Sequence, residues 1–439
     1  MNAKKLVSII LATTLVVGLS ACGSSSTTTQ SSSSPSAVVS SASNEKVSLE
    51  FWTLWTAEPY KTEIANIAKE FNVQNPNVTI NISSSQTDPY KTKIKTAIAA
   101  NEQPDIFVTY TSGFSEPFIK AEKVLSLDEY LDDATKAKLI PDALTNVTYD
   151  GKVYGLPFTT QIGLFYIYED LFTQNNIKVP TTFSELMTAV KAFRAKNITP
   201  MTVGAKDLWP SMWLYDQLAV REGGAQLCND ALSGKASFTD PAFVRAAKDL
   251  QDLVDAKAFE PGVLGISRDE AEVPFLAGKI PMYYGLNSVI GTIAKNNTVI
   301  KGKIKAIKFP IIEGGAGTLE EFSGGVNNCL MISANTKYKV EAVNATKFIA
   351  QAMGTAYYKT GAGIPAWNVD DVDKSTVEPL NAAVINEIIP TSKKGVLAWD
   401  VFLPSDAAKA HQDLVAQIIG KQITPEEFAT QMQSKINKK

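Results

Sequence analysis

The sequence runs to 439 residues, 45% of them hydrophobic, with 42 basic and 45 acidic side chains and a net charge of −3. That balance, with no basic stripe along the chain, argues against nucleic acid as a partner. A single histidine, His411, and three cysteines without CxxC spacing argue against a histidine-based catalytic dyad or zinc site.

The chain opens with Lys4 and Lys5, turns apolar from Leu6 to Leu19, and then reads Leu19-Ser-Ala-Cys22. A basic start, a short apolar core and small residues before the cut predict an export signal over residues 1–21. The core is short for a permanent spanning helix. A cysteine at this position is similar to the bacterial lipoprotein signal, in which Cys22 becomes the acylated first residue; the alternative is an ordinary secretory signal. Each buried acyl methylene adds about 0.8 kcal/mol, so acylated Cys22 would hold the protein at a membrane surface without spanning it. Losing Lys4 and Lys5 takes the mature chain to a net charge near −5. Residues 22–44, rich in serine and threonine, read as a tether. The remainder is long for one core and predicts two lobes. Cys228 and Cys329 are far apart in sequence; two buried thiols or one bridge both fit.

From Val47 the pattern alternates as a strand does, with Val47, Leu49 and Phe51 on one face. Pro59 suits the first turn of a helix carrying Ile64, Ile67, Ala68 and Phe71, which Asn75-Pro76-Asn77 ends. A second strand carries Val78, Ile80 and Ile82. Asp88-Pro89 opens a helix with Ile94, Ala97 and Ile98 inward, and Ile106–Thr109 is a third strand. Strand, helix, strand, helix, strand predicts an α/β fold with a parallel sheet covered on both faces. In such sheets ligands bind outside the carboxyl ends of the strands. Those ends carry Trp55 and Glu58, Gln86 and Asp88, and Tyr110, Thr111 and Ser112. Trp52 is assigned to its strand. Further on, 151–166 is predicted extended, with helical patterns at 183–193, 210–220 and 241–254. Extended segments return at 280–284, 304–312 and 328–332.

Several chemistries find no support. The run Glu313-Gly-Gly-Ala-Gly-Thr318 lacks the Lys-Ser/Thr of a phosphate loop and reads as a turn. Ser323 precedes Gly324 and Gly325 where a nucleophile elbow would set the serine between glycines. No carboxylate pair can be placed at glycosidase separation from sequence. The pairs Tyr283-Tyr284 and Tyr357-Tyr358 offer phenolates to ferric iron, but only His411 is on hand as an imidazole partner. Tryptophan is more telling. Trp209 and Trp213, Trp367 and Trp399 sit beside proline, small residues or aspartate, off any clean apolar periodicity. Sugar rings lie well on indole faces and offer hydroxyls that carboxylates and amides grip. A cationic ligand would also suit this mixture.

In their order, four segments resemble the extracellular solute-binding proteins of family 1, the lipid-anchored sugar receptors of bacterial ABC importers. They are Gln103-Pro-Asp-Ile-Phe-Val108, Leu156-Pro-Phe-Thr-Thr-Gln-Ile-Gly through Phe172, Phe275-Leu-Ala-Gly-Lys-Ile-Pro-Met-Tyr-Tyr-Gly285, and Gly420-Lys-Gln-Ile-Thr-Pro-Glu-Glu-Phe428. The resemblance implies a two-lobed periplasmic-binding-protein-like fold, each lobe a mostly parallel sheet flanked by helices. Three crossings would fall near Thr160, Ile312 and Ala350. Lobe 1 would take 45–160 and 313–350, and lobe 2 would take 161–312 and 351–439. Ligand contacts would come from Trp55, Glu58, Asp88 and Tyr110 in the first lobe. Trp209, Trp213, Asn287, Trp399 and Asp400 would supply them from the second, with Gln161 at the crossing and Gly325 and Asn327 on the cleft floor. Where several oligosaccharide-binding members place a stacking Trp, this chain has Gly285-Leu-Asn-Ser-Val289, which leaves the sugar's length open.

The function implied is that of a non-catalytic, monomeric receptor without cofactor or metal. It would be lipid-anchored on the extracellular face of the membrane and would pass carbohydrate, first of all an oligosaccharide, to the transmembrane subunits of an ABC permease. Two rivals stand beside it: a surface-anchored carbohydrate-active enzyme, and the same receptor with a cationic or metal ligand.

Overall fold

The computed structural model describes residues 45–436, apart from residues 57, 59, 296 and 297. The expected signal, Cys22 and the tether lie outside the described residues, as does the side chain of Asp88. No helix among the described residues is long and apolar enough to cross a membrane.

Two sheets organise the chain into two lobes. In the first, the strand Val47–Thr53 pairs in parallel with both Val78–Ser84 and Ile106–Tyr110. Leu49 and Phe51 alternate inward and are fully buried, each worth about 1.5–3 kcal/mol against exposure. Helices Tyr60–Gln74 and Thr87–Ala100 connect these strands, the first burying the expected Ile64, Ile67, Ala68 and Phe71. Asn328–Ile332 then adds to Ile106–Tyr110 in antiparallel register.

The second sheet is built on one long strand, Thr159–Tyr168, here termed the crossing strand. It leaves the first sheet directly after Leu156–Pro157 and pairs antiparallel with Met282–Leu286, Ile304–Ile307 and Gly324–Gly325. Within the two-lobed α/β class, this sheet is therefore mixed. The crossing strand enters from the other lobe, so its neighbours run against it. Both faces are covered: Phe165 and Ile167 join the large core around the helix Trp209–Leu232, and Ile162, Leu164 and Tyr166 join a smaller one.

The chain first changes lobe at Pro157–Thr159, beside the expected Thr160. The second change falls at Val326–Asn327, where the strand Glu321–Gly325 of the second sheet gives way to Asn328–Ile332 of the first. Ile312, the expected position, packs in the second-lobe core. The third lies beyond Asn368, which still donates to Lys138 O, and before Leu380, which packs against the second lobe. Ala350 is buried mid-helix in the first-lobe core. Both changes come later than the resemblance implied; a buried strand before the second and an apolar helix before the third read alike in either lobe.

The glycine-rich turn wraps Arg221: a Cβ at Gly315 or Gly317 would overlap the carbonyls of Arg221 or Val220. Gly315 and Gly317 thus serve close approach, and Gly314 a turn at φ 88°. Cys228 and Cys329 are free, buried thiols in different cores.

Candidate functional site

The lobes meet at the start of the crossing strand, and four side-chain amides gather there. Gln161 Oε1 accepts from Asn327 Nδ2 at 2.9 Å, and Gln161 Nε2 donates to Asn328 Oδ1 at 3.5 Å. Asn287, just past Met282–Leu286, prolongs the sheet with its side chain. Its backbone N–H donates to Ile162 O, and its Oδ1 accepts from Ile162 N–H, both at 3.0 Å. Gln161 thus uses both ends of its amide, and Asn287 and Asn327 one end each. Asn287 Nδ2 and Asn327 Oδ1 are buried without a hydrogen-bond partner. Leaving such an atom unpaired costs roughly 1–3 kcal/mol. Gly324 and Gly325 hold φ of 153° and 141°, and a Cβ on Gly324 would overlap Gln161 O. Only glycine lets the second crossing lie this close to the first.

Aromatic rings also lie along the lobe boundary. Trp55 follows its strand and meets Phe158 and Tyr357 edge-on, with centroids 5.4 and 6.2 Å away. It is 8% exposed. Tyr60 lies edge-on to Tyr357 at 5.1 Å. Burial pushes the Tyr60 phenol up to about 12, opposed by the hydroxyl of Ser288 and the charge of Arg268, both from the second lobe. Arg268 in turn stands 6.0 Å from the ring of half-buried Trp209, within cation–π range. Tyr110 touches both major cores, edge-on to Phe114, with Lys91 Nζ 4.6 Å from its ring centre. Tyr60, Arg268, Ser288 and Lys91 escaped the sequence reading, although Tyr60 lies two residues past Glu58 and Lys91 one turn into the next helix.

The other expected residues have different roles. Exposed Glu58 accepts from the backbone N–H and the hydroxyl of Thr62, at the start of the helix Tyr60–Gln74. Trp213 is 4% exposed in the second-lobe core. Trp399 is wholly buried: it stacks on His411 at 4.7 Å and meets Tyr215, Phe238 and Phe243 at 5.3–5.9 Å. No face of its indole is left for a ligand, so the expected stacking contact is corrected to a core role. Its backbone N–H donates to Asp216 Oδ2 at 3.3 Å, and Asp216 Oδ1 lies 2.9 Å from His411 Nε2. Burial draws the imidazole down to about 3, which keeps it neutral. Asp400 receives Gln412 Nε2 at 3.2 Å and lies 3.6 Å from Lys91 Nζ. Expected Gln161, Asn287, Asn327, Gly325, Trp55, Tyr110 and Trp209 thus gather near the lobe boundary, whereas Trp213 and Trp399 do not.

Among the described residues no group of three or more His, Cys, Asp or Glu is placed to hold a metal ion. Tyr283 and Tyr284 face opposite sides of the sheet, bonded to Glu272 and Gln217 respectively, and cannot converge on one ion. The floor offers neutral amides and aromatic faces.

Residues 55–359 match the bacterial extracellular solute-binding protein family. The chain belongs to this family. Among relatives of this solute-binding protein, the multiple sugar-binding protein of Streptococcus mutans is 24% identical, over 78% of this chain and 80% of that one. A chitin oligosaccharide binding protein of solved structure is 25% identical, with a TM-score of 0.79 over 89% of this chain and 98% of that one. A structure from work on xylan utilization by the thermophilic bacterium Caldanaerobius polysaccharolyticus is 52% identical, with a TM-score of 0.87. It covers 89% of this chain and all of that one.

Proposed function

We propose that this extracellular solute-binding protein captures a neutral oligosaccharide at the lobe boundary and delivers it to an ABC permease. The observation that carries the reading is the pairing of one unused donor, Asn287 Nδ2, with one unused acceptor, Asn327 Oδ1, beside aromatic rings. Sugar hydroxyls both accept and donate, and their C–H faces lie on such rings. Trp55, Tyr110, Gln161, Trp209 and Gly325 complete the proposed contact set. A carboxylate or ammonium ligand would find its charge unmatched on that amide floor. The protein acts as a monomer, tethered through lipid on Cys22, and carries out no chemistry on its cargo. Ligand bridging both lobes favours the closed form by its differential affinity for it, and the closed form docks on the permease.

The 52% identity to the structure from xylan utilization makes xylan fragments the first sugars to try. Calorimetry against xylo-, chito- and malto-oligosaccharides is expected to show saturable binding of at least one series, with no product after prolonged incubation. Heat from a polyamine, peptide or ferric salt and none from any sugar would overturn the substrate class. Turnover of a glycan would favour a surface-anchored enzyme instead.

A further inference from the structure

Beside this floor, segments from opposite lobes lie directly on each other. Ser112–Phe114 follows the third strand of the first lobe, and Trp399–Phe402 packs with the second. A Cβ built on Gly113 would stand 2.8 Å from the carbonyl carbon of Leu403, 2.9 Å from its oxygen, and closer still to Phe402 O. These three nearest atoms are all second-lobe backbone. Polar bridges reinforce the contact: Lys91 Nζ lies 3.6 Å from Asp400 Oδ2, and Lys95 Nζ donates to Ser405 Oγ at 2.7 Å. Lys91 and Lys95 stand one turn apart on the helix Thr87–Ala100 and so share a face. Asp400 is held for its partner by Gln412, with its side chain 8% exposed.

The geometry points to a closure seam at which lobe bears on lobe without ligand between them: Gly113 against Phe402–Leu403, fastened by Lys91–Asp400 and Lys95–Ser405. No sugar ring fits between backbones in contact, so the seam excludes the ligand from this flank. Contacts made only in the closed form bias the closure equilibrium whether or not sugar is bound. Asp400 is then a positioning residue for closure and does not grip sugar. Gly113 is required because an added methyl group would press on main chain, which cannot rotate aside as a side chain can. The seam stands on lobe-to-lobe geometry; only its effect on sugar affinity rests on the function proposed above.

Zero-length carbodiimide coupling, read by peptide mass spectrometry on sugar-free protein, tests the seam. The native protein is expected to yield a Lys91–Asp400 cross-link, and Gly113→Ala to lower that yield at least tenfold. Gly113→Ala should also weaken binding of xylotetraose, or of whichever oligosaccharide the native protein takes, by tenfold or more. Reversing both charges, Lys91→Asp with Asp400→Lys, should restore affinity lost by either change alone. Equal cross-link yields in the native and Gly113→Ala proteins, or no such product from the native protein, would refute the seam. A native protein that cross-links yet takes no sugar would leave the seam standing and remove the receptor reading instead.

Discussion

Trp55 and Trp399 look alike in sequence, each at an element boundary with an acid shortly after it, and both are buried, one at the edge of the first-lobe core and one deep in the second. Trp55 touches two rings at right angles where the lobes meet. Trp399 is stacked on an imidazole and enclosed by three further rings, among the largest wholly buried side chains of the protein. What separates them is how many neighbours the fold brings from elsewhere. Tyr215, Phe238, Phe243 and His411 come from three separate parts of the sequence and together cover the Trp399 ring. A tryptophan is available to a ligand only if its faces are still uncovered.

Truncating each residue in turn tests this difference. Trp399→Ala is expected to cost the most, about 3–5 kcal/mol of stability in urea unfolding, from lost burial and the cavity left behind. Sugar affinity of the folded fraction should stay near native; a large loss of affinity with stability intact would put Trp399 at the ligand after all. Trp55→Ala is expected to weaken oligosaccharide binding by about 1–3 kcal/mol in calorimetry, the scale of one buried aromatic contact. Trp209→Ala should cost less, about 1 kcal/mol, because its ring is half-buried and meets Arg268 at the edge of cation–π range.

The strands and helices of the first lobe were legible in the sequence because each buries one periodic face: Leu49 and Phe51 at a spacing of two, Ile64, Ile67, Ala68 and Phe71 at helical spacing. The long helix Trp209–Leu232 was seen only in its first half. Gly224 interrupts it at φ 78°, and Glu321, remote in sequence, accepts from Ala225 N–H to restart it. The site divided in the same way. Trp55 and Tyr110 follow strands and were found by the rule of carboxyl ends, whereas the amides of the floor came through family resemblance. That Asn287 and Asn327 each keep one atom unused depends on Ile162 and Gln161, which meet them only in three dimensions. The Gly113 seam left no local signal, since the atoms that require glycine lie far along the chain at Phe402 and Leu403.

The last effect concerns the Trp399 region alone and is read as a slope against pH. Asp249 lies on the helix Pro241–Asp255, whose Phe243 abuts Trp399. Burial, then the charges of Glu222 and Asp252, pushes its carboxyl from 3.8 to about 8, against the opposing pull of Lys248. Arg245 pairs with Glu222 at 2.5 Å. A raised carboxyl pKa means that the folded form binds more protons than the unfolded form between pH 4 and pH 8. Stability therefore falls as pH rises through that window, by at most about 1.4 kcal/mol per pH unit for one proton. Asp249→Asn cannot titrate and should flatten the slope in urea unfolding measured at intervals from pH 5 to pH 8. Its oligosaccharide affinity should match the native protein at each pH, because no contact proposed for the sugar runs through this helix. A variant that kept the slope would move its source elsewhere. A variant that lost affinity in step with stability would show that the second-lobe core and the lobe boundary act as one region.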